Sequence, residues 1–196
     1  MIAFKYTKTD GAEYLSHLDL LRHVYRTLRR AGVTVYMSGG YHAHAKIFLN
    51  NPLPVGVRSV AEYGAVETDF KGDFKAVFNE FSPNGIKCES FCTVDKNPNF
   101  ANSIQSCDYT FSGAHAFNAD LVLNEKSIII TDLRGREIDI RPRIYALQCE
   151  NGRISCTLGC GNDNLRPDLF AGFVCSRFGG NAENILKLAA HGKGVF

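Results

Sequence analysis

Ile2 to Thr7 alternates apolar and polar residues, the period of a half-buried strand. Asp10-Gly11 then reads as a turn, and Ser16, followed three residues later by Asp19, reads as a helix N-cap. The spacing predicts a helix from there to about Ala31, stopped by Gly32. Tyr14, Leu18, Leu21, Tyr25 and Leu28 recur at helical spacing and are expected to form its buried stripe. Asp19, Arg22, His23, Arg26, Arg29 and Arg30 share the opposite stripe. A strand is expected at 33–37, broken at Ser38-Gly39-Gly40 and resumed at 46–49, and further strands at 61–68 and 86–94. A short helix follows Asp73 and ends at Ser82-Pro83-Asn84-Gly85. The order β-α-β-β-α-β is the ferredoxin-like split βαβ pattern, an α+β fold with an antiparallel sheet and helices on one face.

Residues 95–103, DKNPNFANS, have no periodicity and read as a boundary. Beyond them the pattern predicts a second, β-rich α+β half. It has strands near 105–111, 127–133 and 136–141, a helix near 116–124, and a hairpin of 144–149 and 153–158 across Asn151-Gly152. A helix starting near Pro167 runs to about Arg177. The expected organisation is thus a ferredoxin-like basic domain over 1–96, a second α+β domain over 104–178, for which a repeat of the ferredoxin-like fold is one reading, and a C-terminal tail over 179–196 carrying one short helix.

Composition changes this picture little. The 196 residues are 45% hydrophobic and 21% charged, ordinary for a globular chain with a real core. Apolar runs are too short to span a bilayer, and the N-terminus lacks a secretory h-region, so the cytoplasm is the expected location. Charge is more informative. Residues 1–60 carry eight Lys and Arg against three Asp and Glu, while the whole chain is only +2. A basic front end points to a polyanionic partner.

Candidate chemistry is mostly excluded. The seven cysteines form no C-x-x-C pair. Cys88 and Cys92, like Cys156 and Cys160, echo the start of a radical SAM (S-adenosylmethionine) cluster motif, but Asp95 and Asp163 stand where its third cysteine belongs. Residues four apart on a strand are also about 13 Å apart, too far for one metal. No metal and no cofactor is expected. P-loop, dinucleotide, zinc-protease and serine-hydrolase motifs are missing. Two groups remain. The arginines of the first helix, with Lys46 beyond a Gly39-Gly40 break, can track a phosphate backbone, and Tyr36 and Tyr41 can stack on bases. His42 and His44, with Lys46, can supply the acid, base and cation of metal-independent RNA cleavage.

Longer motifs point to a family. L-S-H-L-D-L-x-R at 15–22, L-R-R-A at 28–31, S-x-G-Y at 38–41 and P-L-P-V-G-V at 52–57 resemble the bacterial radical-SAM-linked domain of unknown function. E-I-D-I-R-P at 137–142 and N-L-R-P-D at 164–168 resemble its later motifs, and the likeness runs from about residue 1 to 178. Ala43 and Ala45 depart from it, standing where that family carries prolines. The resemblance implies a small protein encoded beside, or fused to, a radical SAM protein, with no established reaction. It adds Arg141 and Arg166 to the anion-binding candidates Arg22, Arg26, Arg29, Arg30 and Lys46. Three functions stay open: an accessory module that binds RNA or another anion for a radical SAM partner and is more a binder than an enzyme, a ribonuclease using His42 or His44, and a protein-binding adaptor without nucleic-acid affinity.

Overall fold

The computed structural model describes residues 1–132 and 134–196. The chain divides into two compact units, Met1–Ser103 with Lys193–Phe196, and Ile104–Gly192.

In the first unit, β1 (Ile2–Lys8), α1 (His17–Arg30), β2 (Ile47–Leu49), β3 (Arg58–Val66), α2 (Phe74–Phe81) and β4 (Cys88–Thr93) follow in that order. The strands lie in the order β4-β1-β3-β2 with every neighbour antiparallel. This is the ferredoxin-like arrangement that the periodicity predicts. Each helix returns the chain over the sheet to a strand two places away. Local chemistry sets the helix ends. Ser16 Oγ accepts from the Asp19 N–H at 3.2 Å and Asp73 Oδ1 from the Ala76 N–H at 3.0 Å, each quenching an orphan donor. Gly32, at φ 69°, lets the Val33 N–H reach back to the Leu28 carbonyl at 2.9 Å and closes α1. Phe4, Phe74 and Phe78 meet with ring centroids 5.3–5.8 Å apart, and Leu20, Val24 and Leu28 of α1 complete the same core.

Three expectations fail here. The buried face of α1 is Leu20, Val24, Thr27 and Leu28, whereas Tyr14 and Leu18 are 70% and 62% exposed. Tyr14 lies in the 3-10 turn Ala12–Tyr14, before the helix, so it cannot set the helix phase. The segment 33–37 forms no strand. Gly40, at φ 98°, folds the chain back so that Met37 bridges Ala45, while Tyr36 accepts from the Lys46 N–H at 2.8 Å and donates its own N–H to the Glu67 carbonyl, just past β3, at 2.9 Å. The 95–103 stretch is not featureless either. It ends in α3 (Phe100–Ser103), and Phe100 packs against Tyr63 at 5.3 Å.

The second unit holds β5 (Ile104–Ala114), α4 (Asp120–Leu123), β6 (Ile129–Thr131), β7 (Glu137–Asp139), β8 (Ile144–Glu150), β9 (Arg153–Gly159), α5 (Pro167–Phe178) and β10 (Gly180–Gly192). Its strands run β10-β5-β9-β8, again all antiparallel. This repeats the order of the first unit. Here the first crossover carries the short α4 and a separate β6-β7 hairpin in place of a long helix. The helix expected over 116–124 is only one turn, and Leu133, the end of the strand expected over 127–133, lies outside the described residues. The short helix expected in the C-terminal stretch is instead strand β10. Its ladder to β5 shifts register four times and only Lys187 and Ala190 are buried along it, so no period of two is written into its sequence.

Candidate functional site

Helix α1 presents Arg22, Arg26, Arg29 and Arg30 to solvent. Burial of Leu20, Val24 and Leu28 turns the other side of the cylinder outward. Arg22 Nη1 pairs with Asp19 Oδ1 at 3.0 Å, one turn back. Arg29 sits over the Tyr25 ring, 5.8 Å from its centroid. Among the described residues, Arg26, Arg29 and Arg30 form no ion pair. Arg29 and Arg30 occupy the last turn, where the helix dipole favours positive charge.

The loop that follows α1 is held by its own hydrogen bonds. Ser38 N–H donates to the His44 carbonyl at 2.8 Å, and the His44 N–H donates to Ser38 Oγ at 3.0 Å. His44 Nδ1 lies 2.9 Å from the same hydroxyl. His42 is exposed, its ring edge-on to Tyr41 at 5.0 Å. The structure therefore ties His44 to Ser38, and His44 Nδ1 lies 3.5 Å from the His42 carbonyl. Tyr41 is 98% exposed, available for stacking. Lys46 is occupied, its Nζ 2.9 Å from Glu67 Oε1.

The two arginines from the later motifs differ. Arg141 turns inward and donates from Nε and Nη2 to the Leu123 carbonyl and from Nη1 to that of Ile144. Arg166 stays on the surface of a cleft, clamped by Asp168 at 2.6 Å.

Sequence patterns miss a buried polar cluster beside α1. Glu62, 2% exposed on β3, accepts from Ser59 Oγ at 2.8 Å and Asn50 Nδ2 at 3.1 Å. Lys8 is buried near it, and Tyr6, its register partner, is fully buried. Burial, then the Glu62 charge, pushes the Tyr6 phenol well above its ordinary range. Burial also lowers the His17 imidazole at the start of α1, more than nearby Glu62 raises it. The one available signal was a charged residue inside the apolar run 61–66.

The family model described as an uncharacterised protein conserved in bacteria (DUF2344) matches residues 2–167. The chain belongs to that family. The match takes in α1, its loop, Arg141 and Arg166. No curated protein matches the chain. Among solved structures, a chain of "Crystal Structure of a Cbf5-Nop10-Gar1 Complex" is similar at 11% identity and a TM-score of 0.48. The alignment covers 95% of this chain and 49% of that one, so this DUF2344 chain spans about half the length of the structure it matches. Among the described residues no helix is long and apolar enough to cross a membrane, and no group of three His, Cys, Asp or Glu side chains is placed to hold a metal ion.

Proposed function

We propose that this DUF2344 protein is a binding module that holds RNA, or another extended anion, for a radical SAM partner. The partner comes from the motif resemblance at 15–57 and 137–168. The RNA reading is carried by one observation: three guanidiniums on the last turns of α1 face water and, among the described residues, form no ion pair. Arginine in this position supplies a planar fork that fits phosphate oxygens in pairs, which a lysine does not. Tyr41, exposed on the loop after the helix, offers a stacking surface for a base.

The test is fluorescence anisotropy of a labelled single-stranded RNA at rising salt. Each phosphate contact on a single strand contributes a slope of about −0.7 in log K against log salt. Three arginines should give about −2, falling towards zero in an Arg26→Gln/Arg29→Gln/Arg30→Gln variant. Affinity that ignores salt, or survives the triple change, refutes the reading. RNA cleavage lost on His42→Ala or His44→Ala would replace it with the ribonuclease. Capture of a radical SAM protein without any RNA affinity would replace it with the adaptor.

A further inference from the structure

Two guanidiniums of the second unit are each gripped along one edge by a carboxylate. Arg136 donates from Nε and Nη2 to Asp132 Oδ2, at 2.9 and 2.7 Å. Arg166 donates from Nε to Asp168 Oδ1 at 3.0 Å and from Nη2 to Asp168 Oδ2 at 2.6 Å. A guanidinium carries five N–H donors, so each keeps free donors on its other edge. Arg134 and Arg143 reach the same place. Arg143 makes one long bond, 3.3 Å, to the Asn164 carbonyl. Together the four arginines, with Ile138 and Leu165, line a cleft of about 620 Å³.

The cleft is not an isolated charge cluster. Leu169 forms part of its wall and also of an adjoining groove of about 370 Å³. Ile130, Gly172 and Phe173 line that groove, which is more apolar. A charged cleft therefore opens beside an apolar slot, at the size of small-molecule sites.

We propose that the cleft binds the phosphate of a small phosphate monoester and the groove its flat or apolar body. The clamping carboxylates orient the forks before a ligand arrives, so less side-chain freedom is lost on binding. Four guanidiniums stand against three carboxylates, Asp132, Glu137 and Asp168. That small positive excess suits one phosphate group rather than a polyphosphate or an extended strand. All the residues that line this site belong to the second unit, whereas α1 belongs to the first.

Titration calorimetry of the full chain at low salt tests the proposal. The probes are the four ribonucleoside 5′-monophosphates, the four nucleosides, and inorganic phosphate as competitor. At least one monophosphate should bind about tenfold or more tighter than its nucleoside, be displaced by phosphate, and raise the melting temperature. Arg134→Gln/Arg143→Gln should weaken it about tenfold or more with little loss of unliganded melting temperature, because Arg134 is exposed and half-buried Arg143 gives up one long bond to the Asn164 carbonyl. Arg26→Gln/Arg29→Gln should leave it unchanged. No binding by any monophosphate at millimolar concentration, equal binding of nucleoside and nucleotide, or loss of binding on the α1 change instead of the cleft change would each overturn it.

Discussion

Arg141 Nη2 lies 2.6 Å from the carbonyl oxygen of Leu123, and Nε lies 3.1 Å from the same atom. With Nη1 bonded to the Ile144 carbonyl at 2.9 Å, one side chain ties the end of α4 to the start of β8. An arginine written into a family motif thus holds the chain's own backbone. Arg141→Ala should cost about 2–3 kcal/mol, since hydrogen bonds from a charged donor are worth more than neutral ones and two carbonyls lose their partner. Urea denaturation should show a lower midpoint at unchanged slope, and RNA affinity should not move. Wild-type stability would mean that water replaces the guanidinium freely.

Gly85 ends the turn after α2 at φ 83°, and a Cβ built there would fall 1.9 Å from the Thr9 carbonyl oxygen. The backbones approach because the Thr9 N–H donates to the Gly85 carbonyl at 2.9 Å. Gly85→Ala adds left-handed strain to a backbone clash, and should cost about 3 kcal/mol or more. Thermal unfolding of the variant checks this. A melting temperature equal to wild type would contradict the close approach of the two turns.

Asp132 is held at about 2, well below its ordinary 3.8, first by the Arg136 backbone N–H and then by the Arg136 side chain. The unfolded chain takes the proton more readily than the folded one. The stability from this ionised group is therefore complete above 3.8, fades as pH falls, and is gone below about 2. Carboxyl carbon NMR should find its midpoint near 2, and Arg136→Ala should raise it only part of the way, because the backbone donor remains. A midpoint of 3.8 in the wild type would show that the clamp does not form in solution.

Burial pushes the thiols of Cys88 and Cys156 up to about 12. Among the described residues no cysteine is joined in a disulfide. At pH 8 these two should resist iodoacetamide in the folded protein and alkylate fully once it is unfolded, because the thiolate is the reacting species. Peptide mass spectrometry reads the difference site by site. Rapid native labelling of either would show that its strand is not packed as described.

Much of the first unit was legible because its signals are local. Ser16, Gly32 and Asp73 act on backbone groups within a few residues, so their meaning survives without the rest of the chain. The phase of α1 was not legible. Leu18 and Leu20 are the same residue type two positions apart, one 62% exposed and one 3%. The core that Leu20 joins, with Phe4, Phe74 and Phe78 among its members, selects between them. Strand β10 was hidden for a related reason: its register partners on β5 lie 66 to 88 residues earlier, and its irregular register erases the alternation.

By itself the sequence determined the strand and helix order of the first unit, the α+β class of the second, the caps and the basic helix face. Each depends on spacing along a few turns of chain. The tertiary structure decided which arginines still face water. It turned Arg141 onto two carbonyls, set Lys46 against Glu67, gathered Arg134, Arg136, Arg143 and Arg166 around one cleft, and left Arg26, Arg29 and Arg30 open. Each of these cations carries the same charge in every setting. What differs is the acceptor near it: for Arg136 and Arg166 it is a carboxylate a few residues away in the chain, while for Arg141 and Lys46 it is a carbonyl and a carboxylate that packing brings from 18 and 21 residues away.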